Sequence, residues 1–260
     1  MKKINIILLT ILFTISYKNH LSKNITQTNY VGIDEQLGKK LPLNLSFVTS
    51  ENDTIQLNKL VDKPILLAFI YYECPGICSP MLHDVAWLID KIDLELGVDY
   101  KIISLSIDSR EKPEIANRWK RNYLQLIKKK INKDDWIFLT GDSSNIYKIT
   151  KEAGYFFEKN KAGQIIHPAV LITLSPDGKI VRYILGPTFN PFDVKMALIE
   201  AKAGISRPTV TKVLELCYSY DPEGKKYAFN FLRVSGIIIL FFIGIFLLIL
   251  LLKSKKKMEQ

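Results

Sequence analysis

Ile65-Leu66-Leu67-Ala68-Phe69-Ile70-Tyr71-Tyr72 runs directly into Glu73-Cys74-Pro75-Gly76-Ile77-Cys78-Ser79-Pro80, and a helix-like stretch over residues 81–92 follows. An apolar run of this length, ended by turn residues, reads as a buried strand covered on both faces. Two thiols where such a strand meets a helix are placed for sulfur chemistry, either disulfide exchange or capture of a soft metal. With Cys78 in the first helical turn, Cys74 lies about one turn earlier, so both sulfurs can face the same side. The helix N-terminus favours thiolate over thiol, and thiolate is both the nucleophile and the metal ligand.

Upstream of this corner, residues 41–48 alternate apolar and polar, as a half-exposed strand does, and residues 54–57 read as the returning strand of a hairpin that turns at Glu51-Asn52-Asp53. Downstream, strand and helix alternate: helix 79–95, strand 101–107, helix 111–129, strand 136–139 and helix 143–153, which Asp142 could cap. Strand 169–174 turns through Ser175-Pro176-Asp177-Gly178 into strand 179–185, and an amphipathic helix covers 191–203. This order predicts an α/β, thioredoxin-like fold, a central mixed sheet flanked by helices with an N-terminal β-hairpin. The dithiol then lies at the carboxyl edge of the parallel strands, where sites gather in open α/β sheets.

Both ends of the 260-residue chain read as membrane addresses. Met1-Lys2-Lys3 caps an apolar segment, so residues 1–17 are expected to be a signal peptide or N-terminal anchor, and 18–40 a tether. Residues 234–252 carry no charge and lie between Arg233 and Lys253-Ser254-Lys255-Lys256-Lys257. That length can cross a hydrocarbon core of about 30 Å, which predicts a C-terminal transmembrane helix. The basic tail, 253–260, should stay in the cytoplasm. The folded domain, 41–204, and a juxtamembrane linker, 205–233, then sit on the periplasmic or extracytoplasmic side of a bacterial cytoplasmic membrane. The formal net charge of +10 lies partly in the terminal clusters and otherwise in scattered lysines. No basic stripe interleaved with aromatics occurs, so nucleic acid is not an expected partner.

Three cysteines in an exported chain exclude a disulfide scaffold. An oxidising compartment makes Cys74 and Cys78 a disulfide unless something reduces or metallates them. Soft thiolates there point to copper, above all Cu(I), whereas zinc in closed sites normally takes four ligands. Histidine is the commonest third ligand, and the chain has three. His20 lies in the tether and His83 on the polar face of the helix after the motif. His167, in Gln164-Ile165-Ile166-His167-Pro168, precedes strand 169–174, in a loop that packs beside the dithiol in a thioredoxin-like topology, where thioredoxins carry a cis-proline. The candidate metal ligands are therefore Cys74, Cys78 and His167. Asp108 either approaches the site from the same edge or caps the next helix. Glu73 either tunes the thiolate or faces solvent, and Met81 is read as core. Cys217 stands alone, as a buried thiol or as the partner of another protein's thiol.

Cys74-Pro75-Gly76-Ile77-Cys78-Ser79-Pro80, Ser104-Leu105-Ser106-Ile107-Asp108, Phe138-Leu139-Thr140-Gly141, His167 and Ser175-Pro176-Asp177-Gly178-Lys179 together resemble the SCO/SenC family over about residues 31–203. The resemblance is greatest to a bacterial subgroup that continues, as in Cys217-Tyr218-Ser219-Tyr220-Asp221-Pro222, to a C-terminal membrane helix. It implies a thioredoxin-like copper chaperone for the binuclear copper site of cytochrome c oxidase subunit II, with one copper per chain, as Cu(I), Cu(II) or both. Other periplasmic copper chaperones or thiol reductants would be further partners. The family's cysteine ligands fall on Cys74 and Cys78 and its histidine ligand on His167. Two positions depart from the family: many members have an acidic residue where this chain has Gly76, and aspartate where it has Ile166, which would orient the imidazole. The alternative is a thiol–disulfide oxidoreductase that reduces the cysteines of that site before metallation, with Cys74 attacking and Cys78 resolving.

Overall fold

The computed structural model describes residues 31–206, apart from 75, 161 and 187, and beyond them 218–221, 226–229, 235, 239 and 242–245. Seven strands form one mixed sheet: β1 (Ser46–Thr49), β2 (Thr54–Gln56), β3 (Ile65–Ile70), β4 (Lys101–Ser106), β5 (Trp136–Thr140), β6 (Val170–Leu174) and β7 (Ile180–Leu185). Their spatial order is β7-β6-β3-β4-β5-β1-β2. β3, β4 and β5 are mutually parallel, and the outer pairings are antiparallel. Every side chain of β3, β5 and β6 is buried, as strands covered on both faces require. Each fully buried Leu, Ile or Phe in that layer stabilises the fold by roughly 1.5–3 kcal/mol.

Four helices flank the sheet: α1 (Cys78–Lys91), α2 (Pro113–Leu124), α3 (Ser143–Glu152) and α4 (Pro191–Ala203). α1 buries Cys78, Met81, Leu82, Val85, Ala86 and Ile89, a stripe at three- and four-residue steps that fixes which way its first turn faces. α1 packs on α2, α2 on β5 and β1, and α4 on β7, β6 and β3.

α1 and α2 are shorter than their sequence patterns. α1 stops at Lys91, because Ile92 is extended and the chain turns into β4 through Gly97 at φ +88°. α2 starts at Pro113, since proline suits the first helical position and Glu111 is held elsewhere by the backbone it binds. Asp142 caps α3, its Oδ1 accepting from the amides of Ser144 and Asn145 at 2.9 and 3.0 Å. α4 buries Val194, Ala197, Leu198 and Ala201 yet leaves Phe192 and Ile199 exposed, so it is less amphipathic than expected. The strand expected from residue 41 begins at Ser46; the amide of Leu41 instead donates to the Gly178 carbonyl in the β6–β7 turn.

The expected tether is corrected over its last ten residues, 31–40. Gly32–Ile33 pairs antiparallel with Tyr155–Phe156, Asp34 donates to the Gly154 carbonyl at 2.8 Å, and Gly38 to that of Ile180 at 2.9 Å. Main-chain pairing of this kind leaves no hydrophobic period, which is why a polar composition read as a tether. Gly154 makes it possible: at φ +59° it lacks the Cβ that would lie 1.8 Å from the Asp34 carbonyl oxygen. The N-terminal signal segment, His20 and Cys217 lie outside the described residues. Among the described residues no helix is long and apolar enough to cross a membrane, and the expected C-terminal span lies mostly outside them. Of residues 234–252, only 235, 239 and 242–245 are described, and these are helical.

Candidate metal centre

The strand–helix corner presents the two thiols. α1 begins at Cys78 with no side-chain cap and no acidic residue in its first turn, so its free amide end is left unneutralised beside the sulfurs. The loop ahead of it is anchored by Glu111, a residue the sequence reading had placed only at a helix start. One Glu111 oxygen accepts from the Tyr72 amide at 2.8 Å and the Ser106 hydroxyl at 2.6 Å; the other accepts from the Glu73 amide at 2.7 Å. Burial raises the Glu111 carboxyl above the ordinary carboxylate range against the pull of these donors. The Gly76 amide lies 3.4 Å from Cys74 Sγ as a donor to it.

His167 enters from the loop before β6. Its Nε2 lies 3.2 Å from Cys78 Sγ. Its Nδ1 lies 2.9 Å from the Tyr155 hydroxyl and 3.1 Å from the Pro168 carbonyl oxygen. Tyr71 meets the imidazole edge-on, with ring centres 5.6 Å apart. No cis peptide bond occurs among the described residues, so the His167–Pro168 bond is trans. The ligand atoms of Cys74, Cys78 and His167 all lie within 4.8 Å of one another, and they are the one such His/Cys/Asp/Glu group among the described residues. Cys78 and His167 are buried, Cys74 is half-buried, and a cleft of about 220 Å³ lined by Tyr71, Cys74, Gly76, Ile77 and residues 164–167 opens onto them.

The two thiols share a proton. A hydrogen bond from Cys78 holds the Cys74 thiol far below the ordinary thiol range, and burial opposes this without prevailing. The same bond to Cys74, reinforced by burial, pushes the Cys78 thiol far up. The pair therefore titrates as a unit with one thiolate at neutral pH. Burial, and then the bond to Cys74, raises the Tyr71 phenol.

The other sequence candidates fall away from this centre. Asp108 does not cap α2. Its carboxylate takes the Arg110 guanidinium at 2.6–3.0 Å, which holds it below its usual range, and its Oδ1 takes the Arg110 amide. The Glu73 side chain and His83 are exposed, and Met81 is fully buried core. Besides Glu111, the residue missed from sequence is Tyr155, in the stretch Tyr155-Phe156-Phe157; nothing in its spacing ties it to His167.

Two soft sulfurs and an imidazole in a partly buried cleft suit a thiophilic ion of low coordination number such as Cu(I), and lack the fourth ligand of a closed zinc site. The model of the SCO1/SenC family matches residues 34–200. A Bacillus subtilis (strain 168) protein described as an SCO1 protein homolog is 30% identical over 163 residues, 59% of this chain and 81% of that one. Among solved structures, one from Aquifex aeolicus VF5 is 27% identical with a TM-score of 0.59, covering 65% of this chain and 95% of that one. Another, of BsSco, described as a member of the Sco family of cytochrome c oxidase assembly proteins with a disulfide switch, is 25% identical with a TM-score of 0.53, covering 65% and 96%.

Proposed function

The chain belongs to the SCO1/SenC family, and on that premise we propose that it is a membrane-anchored copper-binding protein that delivers copper to the binuclear copper site of cytochrome c oxidase subunit II. The observation that carries this reading is the convergence of Cys74, Cys78 and His167 within 4.8 Å. The description of BsSco as an oxidase assembly protein supports the process. Copper is the cargo, held as Cu(I) by the two thiolates and the imidazole. Delivery is ligand exchange without electron transfer: each acceptor thiol loses its proton as it replaces Cys74 or Cys78, which takes a proton up. Residues 1–17 and 234–252 direct the domain to the outer side of the bacterial cytoplasmic membrane, where anchoring raises its effective concentration beside a membrane-bound acceptor.

The test uses the full chain in detergent, reduced, loaded with copper and dialysed. A single copper per chain is expected. In His167→Ala affinity falls by more than the roughly 10- to 100-fold that outer-sphere partners contribute, while the Cys74–Cys78 disulfide still forms. A second reading, thiol–disulfide exchange, has its own support in the low pKa of half-exposed Cys74 beside buried Cys78. The Cys74 thiolate would attack an acceptor disulfide, and Cys78 would resolve the mixed disulfide, passing two electrons to the acceptor. If His167→Ala leaves copper affinity unchanged but abolishes reduction of a subunit II peptide, the exchange reading replaces delivery.

A further inference from the structure

Behind His167, three groups form a triangle, with the imidazole and the Tyr155 hydroxyl buried and the Pro168 carbonyl half-buried. Nδ1 is 2.9 Å from Tyr155 Oη and 3.1 Å from the Pro168 carbonyl oxygen, and Tyr155 Oη is itself 2.9 Å from that carbonyl. The Phe69 carbonyl lies 3.4 Å from the same hydroxyl. Carbonyl oxygens only accept, and the phenol has a single proton to give. Were Nδ1 unprotonated, it would face the Pro168 oxygen lone pair to lone pair, and the phenol could serve only one of them. With a proton on Nδ1, the ring donates to the hydroxyl and carbonyl oxygens and the hydroxyl donates onward to a carbonyl. Every polar atom of the triangle is then paired, as buried groups require. The other ring nitrogen keeps its lone pair, and that nitrogen is the one 3.2 Å from Cys78 Sγ.

We propose that Tyr155, together with the Pro168 carbonyl, is the positioning residue that fixes His167 as its Nδ1-protonated tautomer and aims Nε2 at the dithiol. The proposal rests on the metal reading of this site. It gives this chain an orienting partner where a neighbouring aspartate is replaced by Ile166, whose side chain is exposed. Tyr155 acts only through the imidazole. Its ring is held in turn by Phe69, with centres 4.8 Å apart, so the hydroxyl is presented by packed core. Ligating histidines generally require such a partner on the second nitrogen to set tautomer and ring orientation.

The experiment uses the full chain in detergent, metal-free and reduced, with ¹⁵N-labelled histidine; the signals of His167 are those absent from His167→Ala. Long-range ¹H–¹⁵N correlation is expected to show His167 protonated on Nδ1. Tyr155→Phe removes only the hydroxyl. It should give mixed tautomers and a copper affinity lower by roughly tenfold or more, with sulfur-to-copper charge transfer retained and nitrogen hyperfine coupling weakened in the Cu(II) form. An Nε2-protonated His167 in the unaltered chain overturns the proposal, as does a Tyr155→Phe chain with unchanged tautomer and affinity. If Tyr155→Phe does not fold, the tautomer of the unaltered chain decides. If the unaltered chain binds no copper, the metal reading fails, while the tautomer of the apoprotein still judges Tyr155.

Discussion

Cys74 and Cys78 reach the centre from a single strand–helix corner, whereas His167 arrives from a loop 89 residues beyond Cys78. The thiol half is positioned locally: a buried strand ends, a helix starts, and Glu111 clamps the Tyr72 and Glu73 amides between them. The histidine half is positioned by tertiary packing, with Tyr155 and Tyr71 behind and beside the ring. A centre assembled this way has two independent supports, one that follows the chain and one that crosses it. Each should be removable without the other.

The largest effect separates the ligands. Cys78→Ser is expected to abolish copper retention through dialysis, whereas His167→Ala should retain weak thiolate-bound copper; equal losses would mean that the halves act as one. Next, Glu111→Ala leaves the Tyr72 and Glu73 amides without their acceptor, while the Ser106 hydroxyl keeps the Asp108 carbonyl at 3.3 Å. With about 1–3 kcal/mol for each unsatisfied buried group, a loss of roughly 3 kcal/mol in urea unfolding is expected, with the His167 tautomer unchanged. A smaller cost falls on the histidine half in Gly154→Ala. Holding alanine at φ +59° costs about 1–2 kcal/mol, and its Cβ would expel the Asp34 carbonyl. Thermal unfolding should move while Cys74 alkylation does not.

The last contrast is a pH profile of the reduced apoprotein. Its first thiol pKa is depressed and its second raised by the shared proton. Below the free thiol value of about 8.5 the folded chain binds fewer protons than the unfolded one, so stability rises with pH. Above that value the unfolded chain loses both protons while the folded one keeps one, so stability falls. A maximum near pH 8.5, with slopes of up to about 1.4 kcal/mol per pH unit on either side, is expected relative to the Cys74→Ser, Cys78→Ser double variant, measured by urea unfolding. A profile identical to that of the double variant would show that the thiols do not share a proton.

The same contrast explains what could be read from the chain alone. The order of strands and helices, the dithiol at the first strand's end and Asp142 as a cap all follow from local signals: apolar runs, spacing, a cap residue before a helix. His167 was reached through topology, because the loop before β6 must pass the β3 edge. Glu111 and Tyr155 had no such signal. A carboxylate ahead of Pro113 reads as a helix start, and a tyrosine in an aromatic run reads as core. What gives both their roles is a hydrogen bond to a distant segment. Residues 31–40 were misread for a related reason, since their contacts to Gly154 and Ile180 are made by backbone and leave no trace in side-chain pattern.

That N-terminal pairing has a mechanical consequence. Residues 32–34 are zipped by their backbone along the strand that carries Tyr155, so tension applied from the N-terminal side is borne first by that short ladder, whose tyrosine backs the imidazole. The thiols, at the corner where β3 runs into α1, lie off that line of force. A pull from the N-terminal side would thus reach the support of the imidazole before that of either sulfur.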